Sequence, residues 1–269
     1  MSIDLNSDLA ESFGQWTMGD DDAMLDIVSS ANIACGFHAG DPLTMLHALE
    51  RAARNGVAIG AHVAYRDLVG FGRRDLDASP EELRGDVLYQ LAAIHGMART
   101  VGASVSYIKP HGALYNRIAH DPVQAQAVVD AIVAFDPQLP ILGMPGSTIL
   151  GLAAQEGIPT RTEAFADRAY RSDGSLVSRR EPGAVITDAA EVAARSLRLA
   201  VEGSVVTIDG GTIELKVDSL CVHGDTAGAV ALARAVRSVL EAAGVEIAPV
   251  AASGRARGVS QTPGVTGAP

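Results

Sequence analysis

The sequence predicts an α/β protein folded as an incomplete TIM-like (β/α)7 barrel. Three observations lead there. Short apolar or β-branched runs alternate with helix-like segments, the rhythm that produces right-handed βαβ units and a parallel sheet. The 269 residues, 48% of them hydrophobic, suit one domain with one sizeable core, since a single α/β barrel typically takes about 250 residues. Polar clusters follow the apolar runs directly, where parallel α/β folds build their sites. An open doubly wound sheet is the alternative topology.

In chain order, strands are expected near Ile3–Leu5, Asn32–Cys35, Val57–Gly60, Val105–Ile108, Ile141–Gly143, Thr160–Glu163 and Leu215–Cys221. The helix from Asp41 to Asn55 is marked at both ends. Asp41 can cap free N–H groups, Pro42 suits the first helical position, and Gly56 can take the left-handed stop. Ser79-Pro80-Glu81-Glu82 opens the next helix as a capping box, and Asp121-Pro122 opens another running to Phe135. Asp225 is expected to open the last, whose stripe of Leu232, Val236, Val239 and Leu240 ends before Gly244. Asp209-Gly210 reads as a hairpin turn before the last strand, and Gly143–Thr148 as a tight turn rather than an anion cradle. Residues 1–248 form the barrel domain. From 249 to 269 the chain turns to Ala, Ser, Gly, Pro and Thr and reads as a flexible tail.

Composition narrows the function. The formal net charge is −11 and the basic pairs Arg73-Arg74 and Arg179-Arg180 are isolated, so nucleic acid and anionic membrane surfaces are not expected as partners. No basic segment leads into an apolar one at the start, and no apolar run is long enough to span a bilayer, so the chain reads as cytoplasmic. Cys35 and Cys221 stand far apart in apolar surroundings and read as buried thiols rather than nucleophiles.

The chemistry is expected at the strand ends. Asp4–Glu11 follows the first strand, Cys35–Asp41 with His38 the second, and Gly60–Asp67 with His62, then Gly70–Arg74, the third. Lys109-Pro110-His111-Gly112 follows the fourth, Glu163–Arg168 the sixth and Val222-His223-Gly224-Asp225 the seventh. A lone His after an apolar run is more often structural than catalytic. Four of them beside acids, brought to one rim by the fold, reverse that balance. His47, His95 and His120 fall in predicted helices or a helix entry and read as ordinary. Such a rim suits three kinds of chemistry: a divalent metal that activates water, general acid–base catalysis, or anion binding by Lys109, Arg73 and Arg168. There is no G-x-x-x-x-G-K-[ST] loop, no G-x-G-x-x-G after the first strand and no G-x-S-x-G elbow.

Seven ordered motifs make the sequence resemble the LamB/YcsF family, described as the A component of 5-oxoprolinase. They are Asp4–Leu9, Ser30–Asp41, Gly60–His62, Gly70–Arg74, Lys109–Gly112, Glu163–Arg168 and Cys221–Asp225, and the likeness runs to about Ile247. The resemblance implies a barrel of the glycoside hydrolase/deacetylase type. It also implies ATP-dependent opening of 5-oxo-L-proline to L-glutamate together with partner subunits B and C, with ATP as co-substrate. On that reading Asp8, His38, His62, His111 and His223 are catalytic, while Asn6, Arg73, Lys109, Glu163 and Arg168 bind substrate. By analogy with deacetylases, Asp8, His62 and His111 would hold a divalent metal. Two further functions compete: a metal-dependent amide hydrolase or deacetylase working without ATP, and a non-catalytic subunit that presents 5-oxoproline. The sequence departs from the family at Ala10, where Gly is usual, and at Val63 and Arg66, where prolines are common.

Overall fold

The first strand sets the architecture. In this computed structural model, which describes residues 1–226 and 228–251, β1 spans Ser2–Leu9 and continues past the apolar segment that predicted it. It can do so because Asp4, Asn6 and Asp8 alternate onto one face, and that face lines the inside of a barrel whose own side chains satisfy them.

Six more parallel strands complete the ring: β2 (Ser30–Ala34), β3 (Ala58–His62), β4 (Val105–Ile108), β5 (Ile141–Gly143), β6 (Thr160–Phe165) and a last strand, β9 (Ser219–Cys221). That last strand pairs with both β6 and β1, so the sheet closes into a seven-stranded barrel rather than an open one. An antiparallel hairpin of β7 (Ser204–Val206) and β8 (Thr212–Glu214), with Asp209-Gly210 in its turn as expected, precedes it. A two-residue strand, β10 (Glu246–Ile247), extends the outer start of β1.

The helices begin where the capping chemistry placed them. Asp41 accepts from the N–H groups of Leu43 and Thr44 at the start of α2 (Pro42–Asn55), and Gly56 takes φ 70° at its end. Ser79 and Glu82 form the reciprocal capping box of α3 (Pro80–Thr100). Asp121 caps α5 (Pro122–Phe135), which follows the short α4 (Gly112–Ile118). The turn before α6 (Thr148–Gln155) is closed by the Ser147 N–H on the Met144 carbonyl. Asp188 caps α7 (Ala189–Glu202), and a five-residue helix, α1 (Asp21–Leu25), lies between β1 and β2.

One cap is a correction. The last helix, α8 (Ala229–Ala242), starts from Gly228 at φ 78°, and Asp225 instead accepts from Arg73 at 2.6 Å. A carboxylate facing a guanidinium across the barrel mouth gains more than one at the end of an exposed turn.

The apolar core lies between sheet and helices. Leu5, Ile33, Ile59 and Ile108 pack outward against Leu49, Leu91, Ile132, Leu232 and Val236. Inside the ring the apolar clusters are small: Ala58, Tyr107 and Leu142 near the bottom, and Tyr115, Phe165 and Cys221 near the mouth. Val250 and Ala251 pack on the lower cluster, and Arg161 donates to the Val250 carbonyl. The remainder of the predicted tail, 252–269, lies outside the described residues.

Candidate active site

A polar column runs up the barrel axis. At its base Asp4 accepts from Ser29 and Ser30 at 2.7 and 2.6 Å and from Ser219, and burial raises its carboxyl to about 6. One layer up, Asn6 donates to Ser219 and Glu163, while Asn32 accepts from the Tyr107 hydroxyl and donates to Asn6 and Asp8. Lys109 crosses this layer. Its ammonium lies 2.8 Å from Asp8, 3.2 Å from Glu163 and 3.1 Å from the Cys221 sulfur. Burial opposes its charge, but Asp8, Cys221 and Glu163 outweigh that and hold its pKa well above the usual lysine value. Burial likewise opposes the charge on Asp8, yet His62 when it is protonated, together with the Lys109 ammonium, keeps its carboxyl well below the usual range.

The mouth of the barrel holds the histidine cluster. His62, at the end of β3, donates from Nδ1 to the Lys109 carbonyl at 2.8 Å, which leaves Nε2 as a lone pair. His111 donates from Nε2 to the Phe71 carbonyl at 2.9 Å, which leaves Nδ1 as a lone pair. Those two unprotonated nitrogens face each other at 3.0 Å. Backbone strain supports the arrangement: Phe71, whose carbonyl fixes the His111 tautomer, sits at φ 54°. His38 stacks on His111 with centroids 3.8 Å apart and places Nε2 3.1 Å from Glu11. Burial, with neighbouring imidazoles adding, holds His38 and His111 well below the usual histidine value. Burial, reinforced by Asp8 and Asp225, pushes Glu11 well above the usual carboxylate value.

This donor set fits a divalent cation. Opposed lone pairs repel unless a proton or a metal lies between them, and donor atoms of Glu11, His38, His62 and His111 all lie within 4.8 Å of one another. Three imidazole nitrogens and one carboxylate oxygen are the ligand types that zinc-like ions prefer. A second group, Asp8, Cys221 and His223, is equally compact, but the Lys109 ammonium already supplies positive charge to Asp8 and the thiol. Burial raises both thiols, Cys35 to about 12 and Cys221 well above its usual value, so neither is set up as a nucleophile.

Above the cluster opens a chamber of about 1140 Å³, lined by Asp8, His62, Lys109, His111 and His223 at its floor and by six arginines higher up. His223 stacks on Phe165 and is held at Nδ1 by both oxygens of Asp167, at 2.8 and 3.0 Å, which leaves Nε2 as its unengaged nitrogen.

The barrel thus brings the predicted site residues to one end. Asp8, His62, Lys109, His111, His223, Arg73 and Arg168 line the chamber, Asn6 and Glu163 lie beneath it, and His38 is buried behind His111. Asp8, placed in the metal set by analogy, has one oxygen 3.4 Å from His62 and gives the other to Lys109. Glu11 and Asp167 do not stand out in the sequence, although both lie in strand-end motifs with the spacing that reaches the mouth. Asn32 and Tyr107 fall inside predicted strands, where they read as core. Of the histidines read as ordinary, His95 donates to the Leu91 carbonyl on its own helix, and His120 lines the outer wall of the chamber. Among the described residues no helix is long and apolar enough to cross a membrane.

A closed parallel barrel with a histidine–carboxylate cluster at its strand ends, under an arginine-lined chamber, has the construction of an α/β-barrel enzyme. A model of the LamB/YcsF family matches residues 3–255, so the chain belongs to the LamB/YcsF family. It is 57% identical over 250 residues to the 5-oxoprolinase A-subunit numbered 3 in Pseudomonas syringae pv. tomato, covering 93% of this chain and 98% of that one. It is 58% identical over 246 residues to the 5-oxoprolinase A-subunit numbered 1 in Agrobacterium fabrum, covering 91% and 96%. Among solved structures, a lactam utilization protein from Thermus thermophilus superposes with a TM-score of 0.88 at 45% identity, covering 92% of this chain and 99% of that one.

Proposed function

We propose that this chain is the lactam-opening subunit of an ATP-dependent 5-oxoprolinase, converting 5-oxo-L-proline to L-glutamate in the cytoplasm with partner subunits B and C. The observation that carries the reading is the pair of tautomer-locked histidines, His62 and His111, beside Asp8 and Glu11 at the floor of a cationic chamber. The names of its relatives supply the substrate.

A lactam is a stabilised amide, and opening its ring needs three things from the protein. Arg168 takes the substrate carboxylate as a charge-assisted pair. Asp8, through the oxygen that Lys109 leaves free, orients the water whose oxygen adds to the ring carbonyl carbon and takes the proton that the water loses. His223, steered by Asp167, delivers a proton to the ring nitrogen as the C–N bond breaks. Glu11, His38, His62 and His111 would hold a divalent cation; when bound it supplies Lewis-acid polarisation and a more acidic water. ATP is hydrolysed to ADP and phosphate by the assembled complex, because the ring amide must be activated to open.

Glutamate and phosphate release, measured with purified subunits B and C, tests this. His62→Ala is expected to lower turnover by about a hundredfold or more, and full turnover in that variant overturns the assignment. The same cluster favours a second reading, a metal-dependent amide hydrolase without nucleotide. Glutamate release that survives removal of ATP would establish it. Cation binding has its own readout: saturation at about 100 times the Kd adds about 2.7 kcal/mol of stability, and His38→Ala should abolish that thermal shift.

A further inference from the structure

Opening a lactam develops charge at three atoms, and the side chains assigned so far serve two of them. Asp8 takes the proton of the attacking water, and His223 supplies one to the ring nitrogen. The ring oxygen, which gains charge as the water adds, has no side chain assigned to it. Asp8 and the lone pairs of His62 and His111 are acceptors and cannot serve it. The Lys109 ammonium is a donor, but Asn6, Asp8 and Glu163 already surround it at 3.2, 2.8 and 3.2 Å.

Tyr115, on α4, is the donor left uncommitted. It is buried and lines the chamber. Neither its hydroxyl nor Oε1 of Glu163 beside it has a hydrogen-bond partner. Buried tyrosine hydroxyls ordinarily find one, so an O–H left unmet at a ligand chamber points to an acceptor that the ligand brings. Burial, reinforced by the Glu163 carboxylate, pushes the hydroxyl well above the usual tyrosine value, which keeps its proton in place. The Phe165 ring gathers the relevant groups: the Tyr115 ring centroid lies 5.7 Å from its own, that of His223 5.2 Å, and the Lys109 ammonium 5.3 Å. Tyr115 also stands one helical turn after His111, whose carbonyl accepts its N–H at 3.1 Å. That turn is pinned to the strand-end loop below it, since the Ala113 N–H donates to the Gly72 carbonyl at 2.8 Å. The hydroxyl therefore rides on backbone that also fixes His111, the preorganisation that a donor to developing charge needs.

We propose that Tyr115 is a further catalytic residue, its hydroxyl donating to the ring oxygen of the lactam as water adds. This rests on the lactam-opening reading and extends it. As the water oxygen bonds to the ring carbon, the carbonyl π pair moves onto the ring oxygen, and the Tyr115 O–H bonds to it without giving up its proton. When the C–N bond breaks, its electron pair goes to the nitrogen that His223 protonates, and the pair on oxygen re-forms the carbonyl of the new carboxyl group.

Glutamate formation by Tyr115→Phe, in steady state and in a single turnover with subunits B and C, tests the proposal. The rate is expected to fall about a hundredfold or more, the loss of one donor to a developing oxyanion. KM should stay within about twofold, because the bond strengthens only as charge develops. The variant should melt at or above the wild-type temperature, since the hydroxyl it lacks makes no bond in the free protein. An unchanged single-turnover rate overturns the assignment. A rate loss accompanied by a lower melting temperature overturns it too, because the hydroxyl then braces Glu163 instead of meeting substrate. Full activity in Tyr115→Phe beside an inactive His62→Ala removes the hydroxyl's role and leaves lactam opening intact. Full activity in both variants removes the functional reading itself.

Discussion

Replacing Lys109 by Met tests the central claim about the barrel axis, that one buried ammonium holds two buried carboxylates. The side chain is about the same length, so the change removes charge and little volume. Lys109 lies 2.8 Å from Asp8 and 3.2 Å from Glu163, and all three side chains are almost or wholly inaccessible. At an effective dielectric of about 20, each contact is worth roughly 5 kcal/mol of attraction. Most of that offsets desolvation, so the net value of the intact group is small. Removing the cation alone strands both anions and is expected to cost about 3–5 kcal/mol at neutral pH. In a barrel of this size that lowers Tm by on the order of 10 °C. Urea unfolding of Lys109→Met, Glu163→Gln and the double variant measures the coupling. Adding Glu163→Gln to Lys109→Met removes one stranded carboxylate and should recover about half the loss, whereas in the wild-type background it should destabilise slightly. If Lys109→Met lies within about 1 kcal/mol of wild type, or if the second substitution deepens the loss, the axial ion group is not what organises the lumen.

Ala10 sits at φ 60°, so Ala10→Gly is expected to stabilise the chain by about 0.5–1 kcal/mol in denaturant titrations, the relief of left-handed strain exceeding the added unfolded-state entropy. Asp4, raised from 3.8 to about 6, binds a proton more tightly folded than unfolded, so it lowers stability at neutral pH by about 3 kcal/mol relative to its protonated form. Wild type should therefore gain about 2 kcal/mol on Asp4→Asn as pH falls from about 7.5 to 4.5; a gap that is flat with pH contradicts the assignment. A Cβ at Gly72, which has φ 62°, would come 2.7 Å from His111 Cδ2 and 2.8 Å from His38 Cβ. Gly72→Ala should then cost about 1–3 kcal/mol and displace both rings, seen as lost turnover with the partner subunits. Asp167→Asn should lower kcat by about a thousandfold with a smaller change in KM, and wild-type kcat would show that His223 needs no carboxylate to orient it.

Much of the fold was legible because its signals were local. The caps at Asp41, Ser79 and Asp121 need only their own helix turns, and all three form where the sequence places them. The length of β1 was not legible. Asn6, Ser7 and Asp8 resemble a loop until the partners that satisfy them, Ser219, Val222 and Lys109, are brought in from more than 100 residues away. Asp225 failed for the related reason that a distant guanidinium, Arg73, outcompetes the nearby helix end. The four rim histidines were readable from position alone. Glu11 was not, because nothing in Ser7–Glu11 reveals that the chain after β1 turns at Ala10 and folds the carboxylate back over His38.

The seam between β4 and β5 has a consequence for how this protein can change. Those strands share one register pair, Ile108 with Ile141, and beyond it the chain of β4 turns back to β3 through Lys109 on Ala61 and His111 on Val63. His38, His62 and His111 therefore belong to the β1–β4 half of the ring, while His223 and the arginines after β6 belong to the half that closes back onto β1 through β9. Phe165 and Asp167, which hold His223, lie on that second half too. Exchanges between residues 169 and 188 can redraw what the chamber accepts while His38, His62 and His111 stay fixed and Asp167 still steers His223, which gives the scaffold a route to new substrates that keeps its imidazole geometry.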